Sequence, residues 1–567
     1  MPNLSLDEMI QLATQHHRAG QFAEAEGLYR RVLAERPEDA NATRLLGILA
    51  SQCGKHEDAV MLLARATELT PTSAVAFHDL AGALRVAGRL GDAADVLRRL
   101  IMLRPGSADL YLELGRIERQ VGRLPEAAQT FEMSLVFQPG SAEALDLLGV
   151  TLADQQRYEE AIERYRKALE LDPAFARTHN ILGTALVRMG DPAAAEQHHR
   201  RAVELDPAYI LAHCNLASDL IQQQKLDEAQ RGLDLALIQW PDSADLHCAL
   251  SWIQRLRGDL PRGWDEHEWR WRLAEFTSHA GRFSQPLWDG GDLAGKTILL
   301  HFEGGYGDTI QFARYATLVA GRGGRVLLHC QEPLARLLKT VDGVDRVITT
   351  LDPLPEFDVH CPLLTLPHVF QTTLASIPAK APYVSAPVEL VRKWEQKLAG
   401  EEKNEQSKGL KIKRIGLAWS GNPKFGFDRL RSLMLSMLGP LGGVAGVQFY
   451  SLQVGEGAEQ LASPPAGLVV KDYTAEIGDF ADTAALMKNL DLIVSHDSAV
   501  AHLAGALGRP SVVLLPYAPD WRWLLERKDS PWYPSVRLFR QKKAGEWGEV
   551  VERVARSIVA ANQPAKF

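Results

Sequence analysis

Proline recurs at a fixed interval of 34 residues through the first half of the chain, at Pro37, Pro71, Pro105, Pro139, Pro173, Pro207 and Pro241. Other positions hold the same register. Gly20, Gly54, Gly88, Gly122, Gln156, Gly190, Gln224 and Gly258 mark one turn of each unit. A buried-type Leu runs from Leu46 to Leu250, and a small Ala from Ala25 to Ala229. A constant period of this length means one supersecondary unit repeated and stacked on itself, because a single copy cannot cover its own apolar face.

Each period reads as two helices. In residues 157–171, Ala161, Ile162, Tyr165, Ala168 and Leu169 share one helical face, and Pro173 ends the helix. The next segment is amphipathic in the same way, and Gly190 breaks it from its partner. The small Ala lets paired helices approach closely. This pattern resembles the tetratricopeptide repeat, over residues 1–273 with about seven units and a degenerate last one. The resemblance implies a superhelix whose concave surface holds a protein or peptide. In the O-GlcNAc transferases an asparagine ladder precedes the repeated Leu. Here those positions hold Leu45, Asp79, Glu113, Leu147, Ile181, Asn215 and Ala249, so one particular partner is expected rather than any extended peptide.

After Gly258 the repeat decays into GWDEHEWRWRL. Trp264, Trp269 and Trp271 are too apolar for a free linker and are expected to pack the last repeat against the next domain. At 567 residues, two or three domains are the prior. With a net charge of −8 the chain is a poor bulk nucleic-acid binder, so any anion site must be local and no nucleic-acid partner is expected. The five cysteines are scattered and form no C-x-x-C, which points to neither a disulfide framework nor a metal site. The start, MPNLSLDEMIQ, lacks a basic n-region and an apolar h-region, and no run is long enough to span a membrane. A cytoplasmic location is the expectation.

The period then changes. Residues 297–302 read as a strand, EGGYGD as a Gly-rich loop, 309–320 as a helix and 325–330 as the next strand, a βαβ unit. Gly304, Gly305 and Gly307 are expected to let backbone approach a ligand. Asp308 sits where strand gives way to helix. It reads either as a helix cap or as a general base for an acceptor hydroxyl. Glu303, His301, His360 and His368 are further titratable candidates. Residues 391–413 are dense in charge and read as a linker between this half, 274–390, and a second one, 414–567.

The second half opens on a strand at 414–419 followed by SGNPKFGFDRLRS. Ser420, Asn422, Lys424, Arg429 and Arg431 concentrate there as a candidate clamp on a diphosphate, since guanidinium forks match phosphate oxygens. Residues 490–516 read as buried strand, sharp turn, helix and second buried strand. The turn at His496, Asp497 and Ser498 lies at a strand's carboxyl end and opens a helix, where open α/β sheets bind ligands. Trp521 and Trp523, beside Asp520 and Arg522, read as part core and part pocket wall.

Together HFEGGYGDTIQFARY, GNPKFGFDRLRS, DFADTAALM and HDSAVAHLAGALG resemble glycosyltransferases of the GT-B fold, and most of all the ADP-heptose:lipopolysaccharide heptosyltransferases and their repeat-fused relatives, some of which modify flagellin. The fold class implied is α plus α/β: a tetratricopeptide superhelix followed by two Rossmann-like halves. Gly307-Asp308 matches the family's Gly-Asp, whose Asp is the base. The donor motif Asp-Thr-Gly-x-x-His is matched by Asp497-Ser498-Ala499-Val500-Ala501-His502, with Ala499 replacing Gly. The resemblance implies transfer of a sugar from a nucleotide donor to a hydroxyl, with Glu303 and the glycines on the acceptor side. The candidate loops hold no D-x-D pair, so neither metal nor cofactor is expected, and the fused repeats point to a Ser or Thr of a protein acceptor, such as flagellin, held by them. Two other readings stay open: a repeat scaffold with a retired sugar-nucleotide domain, and a transferase for lipid-linked or polysaccharide acceptors.

Overall fold

The computed structural model describes residues 4–276, 282–402, 412–422 and 428–562. The charged stretch 403–411 and Lys424 lie outside the described residues. The chain divides into two compact units, Met1–Leu186 and Val187–Phe567.

The first unit is built of antiparallel helix pairs, beginning with Leu6–Arg18 and Phe22–Glu35. The turn position found by periodicity is left-handed in every copy: φ is +74° at Gly20, +75° at Gly54 and +63° at Gln156. A residue without Cβ meets that demand at least cost. The register alanines Ala25, Ala59, Ala93, Ala127 and Ala161 are fully buried. Glycines on the facing helices take the larger partner: a Cβ on Gly115 would lie 2.6 Å from the Phe131 ring, and one on Gly149 2.5 Å from that of Tyr165.

The second unit continues the pattern with helices from Pro192–Leu205 to Leu260–His267, then turns to α/β structure. Strands β1 (Thr297–His301), β2 (Arg325–Cys330), β3 (Arg346–Thr349) and β4 (Val359–Pro362) form a parallel sheet of order β3-β2-β1-β4. Strands β5 (Lys413–Ala418), β6 (Val447–Ser451), β7 (Val470–Lys471), β8 (Leu492–His496), β9 (Ser511–Leu515) and β10 (Val536–Arg540) form a second, of order β10-β9-β8-β5-β6-β7. In both sheets the strand order reverses beside the first strand, between β1 and β4 and between β5 and β8. Loops there splay apart and leave a crevice at the carboxyl ends.

Ile298 and Leu300 of β1 face a large core that also contains Leu250, Trp264, Phe312, Ala504 and Trp521. Leu299 between them faces the sheet's other side, with Leu327 and Ile348. The last repeats and both sheets therefore share one apolar core. Trp264 carries the joint: it is 1% exposed, its Nε1 donates to the Thr372 carbonyl at 3.1 Å, and its ring meets Trp521 edge-on at 5.2 Å. Trp269 stays with the repeats, stacked on His247 at 3.8 Å.

One element differs from its expected form. The helix expected at 309–320 begins earlier, as Tyr306–Phe312, and passes through a 3-10 turn before Ala316–Ala320. Gly307 is thus helical. A Cβ on it would lie 2.8 Å from His502 Cδ2, so its absence is what lets this helix lie against Ala499–Ala506.

Candidate active site

A cavity of about 1150 Å³ opens where the carboxyl ends of the two sheets face each other. One wall is the loop after β1 and the start of its helix, Gly304 to Asp308. The opposite wall is Ser420, Asn422 and Arg431 after β5, with Asp497, Ser498 and Ala499 after β8. A third wall comes from the repeats, through Trp252, Arg255 and His267.

Asp308 is not the helix cap. Gly305 caps in extended conformation and Asp308 stands three residues inside, its Oδ2 accepting from the Gly305 N–H at 2.8 Å. Its Oδ1 pairs with Arg522 of the second sheet's lobe. A Cβ on Gly304 would lie 2.4 Å from Asp308 Oδ2, so this glycine makes room for the carboxylate. Gly304 and Gly307 serve packing within the protein, where the sequence had pointed to ligand approach. A Cβ on Gly305 would meet only Asp308 Oδ2, at 3.7 Å. Gln331 steadies the loop, donating to the Gly304 carbonyl at 2.9 Å and accepting from Thr309 Oγ1 at 2.9 Å.

Arg522 is the hub. Its Nε donates to Gln311 Oε1 at 2.5 Å, its Nη1 pairs with Asp520 at 3.0 Å, and its guanidinium lies 4.3 Å from the Trp521 ring centroid. Gln453, at the end of β6, holds the opposite loop: it accepts from Trp419 and Ser420 N–H groups at 2.9 and 3.0 Å and donates to the Ser420 carbonyl at 2.8 Å. Arg431 is aimed by buried Asp428, whose Oδ1 is 3.3 Å from its Nε.

Burial, and then the neighbouring Asp520 carboxylate, push Asp497 up to about 6, with Arg431 and Arg522 opposing. His502 is buried, its Nδ1 2.8 Å from the Tyr533 hydroxyl, and burial followed by Arg522, Arg314 and Arg431 holds it well below the usual imidazole range. It is neutral at pH 7.

Several expected residues are elsewhere. Arg429 is exposed and reaches Met189 Sδ at 3.3 Å, away from the cavity, because residues two apart on a helix, such as Arg429 and Arg431, point to opposite sides. Glu303 is buried outside the cavity, paired with Arg270 at 2.8 Å and accepting from the Leu364 N–H at 3.2 Å. It fastens the repeat end to the first sheet. His496 lies beneath the cavity floor, fully buried, its Nε2 3.2 Å from where a Gly421 Cβ would be. Burial, then Arg431, holds it down to about 3. His301 and His360 contact each other at 3.2 Å, and His368 pairs with Asp265 at 2.9 Å, none of them on the cavity. Trp521 lines the cavity while Trp523 is wholly core. Among the described residues no group of three or more His, Cys, Asp or Glu side chains is arranged to hold a metal ion.

The residues that sequence reasoning passed over as site components are Gln311, Gln331, Gln453, Arg255 and Arg522. Their one sequence signal was position, three of the five, Gln331, Gln453 and Arg522, lying just past the carboxyl end of a strand or in the loop beyond it.

A helical-repeat array is joined to two parallel α/β sheets that open on one cavity. The comparisons name both parts. Tetratricopeptide-repeat descriptions match residues 16–84, 78–142, 149–190 and 176–209, and Glycosyltransferase family 9 (heptosyltransferase) matches 478–546, the stretch holding Asp497, His502 and Arg522. The chain combines tetratricopeptide repeats with a glycosyltransferase family 9 domain. It is 28% identical over 342 residues to Protein FlbA of Caulobacter vibrioides, covering 56% of this chain. The match spans 55% of FlbA. Among solved structures, YrrB, a TPR protein described as having an unusual peptide-binding site, is 21% identical with a TM-score of 0.29, covering 32% of this chain and 95% of that one. MamA of Desulfovibrio magneticus is 24% identical with a TM-score of 0.28, covering 30% of this chain and 96% of that one. Among the described residues no helix is long and apolar enough to cross a membrane.

Proposed function

We propose that this chain is a GT-B glycosyltransferase that moves a sugar from a nucleotide-activated donor to a Ser or Thr hydroxyl of a protein acceptor, flagellin being the example to test first, with the repeats holding that acceptor. One observation carries the reading: Asp308 on one lobe faces, across one cavity, the strand ends of β5 and β8 with Arg431 and Arg522.

The nucleotide lies over Ser420, Asn422, Asp497 and Ser498, at the strand-order reversal where open α/β sheets bind ligands. As the acceptor oxygen bonds to the anomeric carbon, Asp308 takes the hydroxyl proton and the bond from that carbon to the phosphate oxygen breaks. The electron pair leaves on the nucleoside phosphate. Arg431, Arg522 and the N–H groups opening helix Ala499–Ala506 supply the countercharge, the role a metal plays in other transferases. His502, neutral, positions the wall between the lobes. All five cysteines are free, which suits a reducing compartment, and we place the reaction in the cytoplasm.

The test is intact-mass analysis of flagellin and other candidate proteins after incubation with the full chain and a panel of nucleotide sugars. Added mass on protein that is lost in Asp308→Asn is the expected result. Sugar added only to lipid or polysaccharide acceptors overturns the protein-acceptor reading, and no transfer with any donor overturns the enzyme.

A further inference from the structure

Three of the arginines that line or flank the cavity each have a carboxylate. Arg431 has Asp428, Arg522 has Asp308 and Asp520, and Arg270 has Glu268 and Glu303. Arg255 makes no direct ion pair among the described residues, although it is only 4% exposed and lines the cavity. It comes from helix Ala244–Arg257, a repeat helix.

The side chain is held in place from every side. Its stem presses on Gly263, where a Cβ would lie 2.4 Å from Arg255 Cγ. Its guanidinium stands 4.7 Å from the ring centroid of Trp521 and 5.4 Å from that of Trp264. Its Nε donates to the Ser251 carbonyl at 3.3 Å. Burial, then the nearby charge of Arg522, pull its pKa down to about 9 against the opposing charge of Asp520, so it still carries its proton at pH 7. A buried cation without a hydrogen-bonded counterion is costly, and two indole faces with the more distant Asp520 offset only part of that. The fixed fork of N–H donors matches the plane of an oxyanion.

We propose that Arg255 is an oxyanion subsite, contributed by the last repeat to the cavity, that binds a carboxylate or phosphate group of the substrate. The role of that group in transfer rests on the glycosyltransferase reading; the binding of an anion does not. The oxyanion has two possible sources: the donor's phosphate, or a carboxylate on the sugar or acceptor. On either, the repeats do more than carry an acceptor, because they complete the cavity.

The experiment is calorimetric titration of the full chain, Arg255→Met and Arg255→Lys with inorganic phosphate and with acetate, alongside ADP, UDP and CDP. The expected result is a loss of about tenfold or more in affinity for one anion in Arg255→Met, with Arg255→Lys between. Loss confined to phosphate assigns the subsite to the donor's phosphate, and loss confined to acetate assigns it to a carboxylate. Equal anion binding by all three proteins, or none by the wild type, overturns the subsite. Should Arg255→Met lack a cooperative melt, Arg255→Lys decides: weakening of about threefold or more supports the subsite and no change overturns it, because an ammonium cannot reproduce the fork. Nucleotide binding with Arg255-independent anion binding removes the subsite alone. Arg255-dependent anion binding without nucleotide binding removes the transferase reading and leaves the subsite.

Discussion

Arg522 reaches Asp308, Gln311 and Asp520 at once, and so ties the proposed base to the opposite lobe. Asp308→Asn keeps an acceptor for the Gly305 N–H while removing the base. Its turnover is expected to fall roughly a hundredfold to ten-thousandfold, with the melting temperature lowered by a few degrees because the ion pair to Arg522 is lost, by rate assay and calorimetry. A variant as active as wild type removes Asp308 from the chemistry. Asp497 gives a pH prediction. Its carboxyl is raised from 3.8 to about 6, so between these values the folded chain holds a proton that the unfolded chain has released. Stability from this group is complete below pH about 4 and is lost as pH rises to about 6. The stability difference between wild type and Asp497→Asn, from denaturant titrations, should therefore fall with pH across that window, by up to about 1.4 kcal/mol per pH unit, and stay flat above it. A flat difference throughout would refute the raised value. Buried His301 and His496, both held down to about 3, act in the opposite sense and cancel in the difference. At this scale the sequence located Asp308, Asp497 and Ser498, because strand-to-helix turns are visible in a hydrophobic pattern. It misplaced Glu303, Arg429 and His496, because a pattern of residue types does not say which side of a strand end or short helix a side chain takes. Arg522 was beyond reach, since its partners lie 211 and 214 residues away.

The elements show the same division between periodic signal and contact. The repeat register predicted helix pairs and their turns, and the left-handed turn appears at each marked position, including Gln156 at +63° and Gln224 at +58°. A glutamine in that conformation costs roughly 1–2 kcal/mol against a residue without Cβ. Gln156→Gly is expected to stabilise the first unit by about 0.5–1 kcal/mol once glycine's greater chain entropy is deducted. Gln224 differs, because its Nε2 donates to the Tyr517 carbonyl at 2.5 Å and so joins a repeat to the loop after β9. Gln224→Gly should gain nothing or lose stability. Thermal melts of the two variants check the contrast, and equal gains would show that the Tyr517 bond contributes nothing. The Gly-rich stretch before Asp308 was legible as a break in pattern, yet its helical start at Tyr306 was not. A glycine inside a helix argues against the helix by propensity, and only the neighbouring His502 explains why it is there. Strands β7 and β10 were not foreseen, being edge strands whose pattern is short or interrupted by charge.

For the whole molecule, the composition change after residue 273 marks where the period ends, but the core does not stop there. Leu246, Leu250, Ile253, Leu256, Leu260 and Trp264 belong to the same apolar cluster as β1, the helix after it, and Trp521. No reading of periodicity reveals this, because the faces a repeat turns toward a neighbouring repeat and toward a foreign domain are equally apolar. The consequence is measurable by cutting the chain. A protein beginning at residue 187 keeps the whole second unit and all of the apolar joint, and should melt cooperatively with the α/β lobes intact. One beginning at residue 274 loses Trp264, whose burial alone accounts for about 3–5 kcal/mol, and exposes Phe312 and Trp521 where that ring packed. It should lack a cooperative transition and bind hydrophobic dye. Trp264→Ala in the full chain should lower the transition of the α/β lobes by several degrees while the first repeats melt as before, followed by calorimetry or by proteolysis mapped to residues 297–540. If the protein starting at 274 folds and melts like the longer one, the shared core carries no stability, and the third wall of the cavity is an accessory rather than part of the enzyme's body.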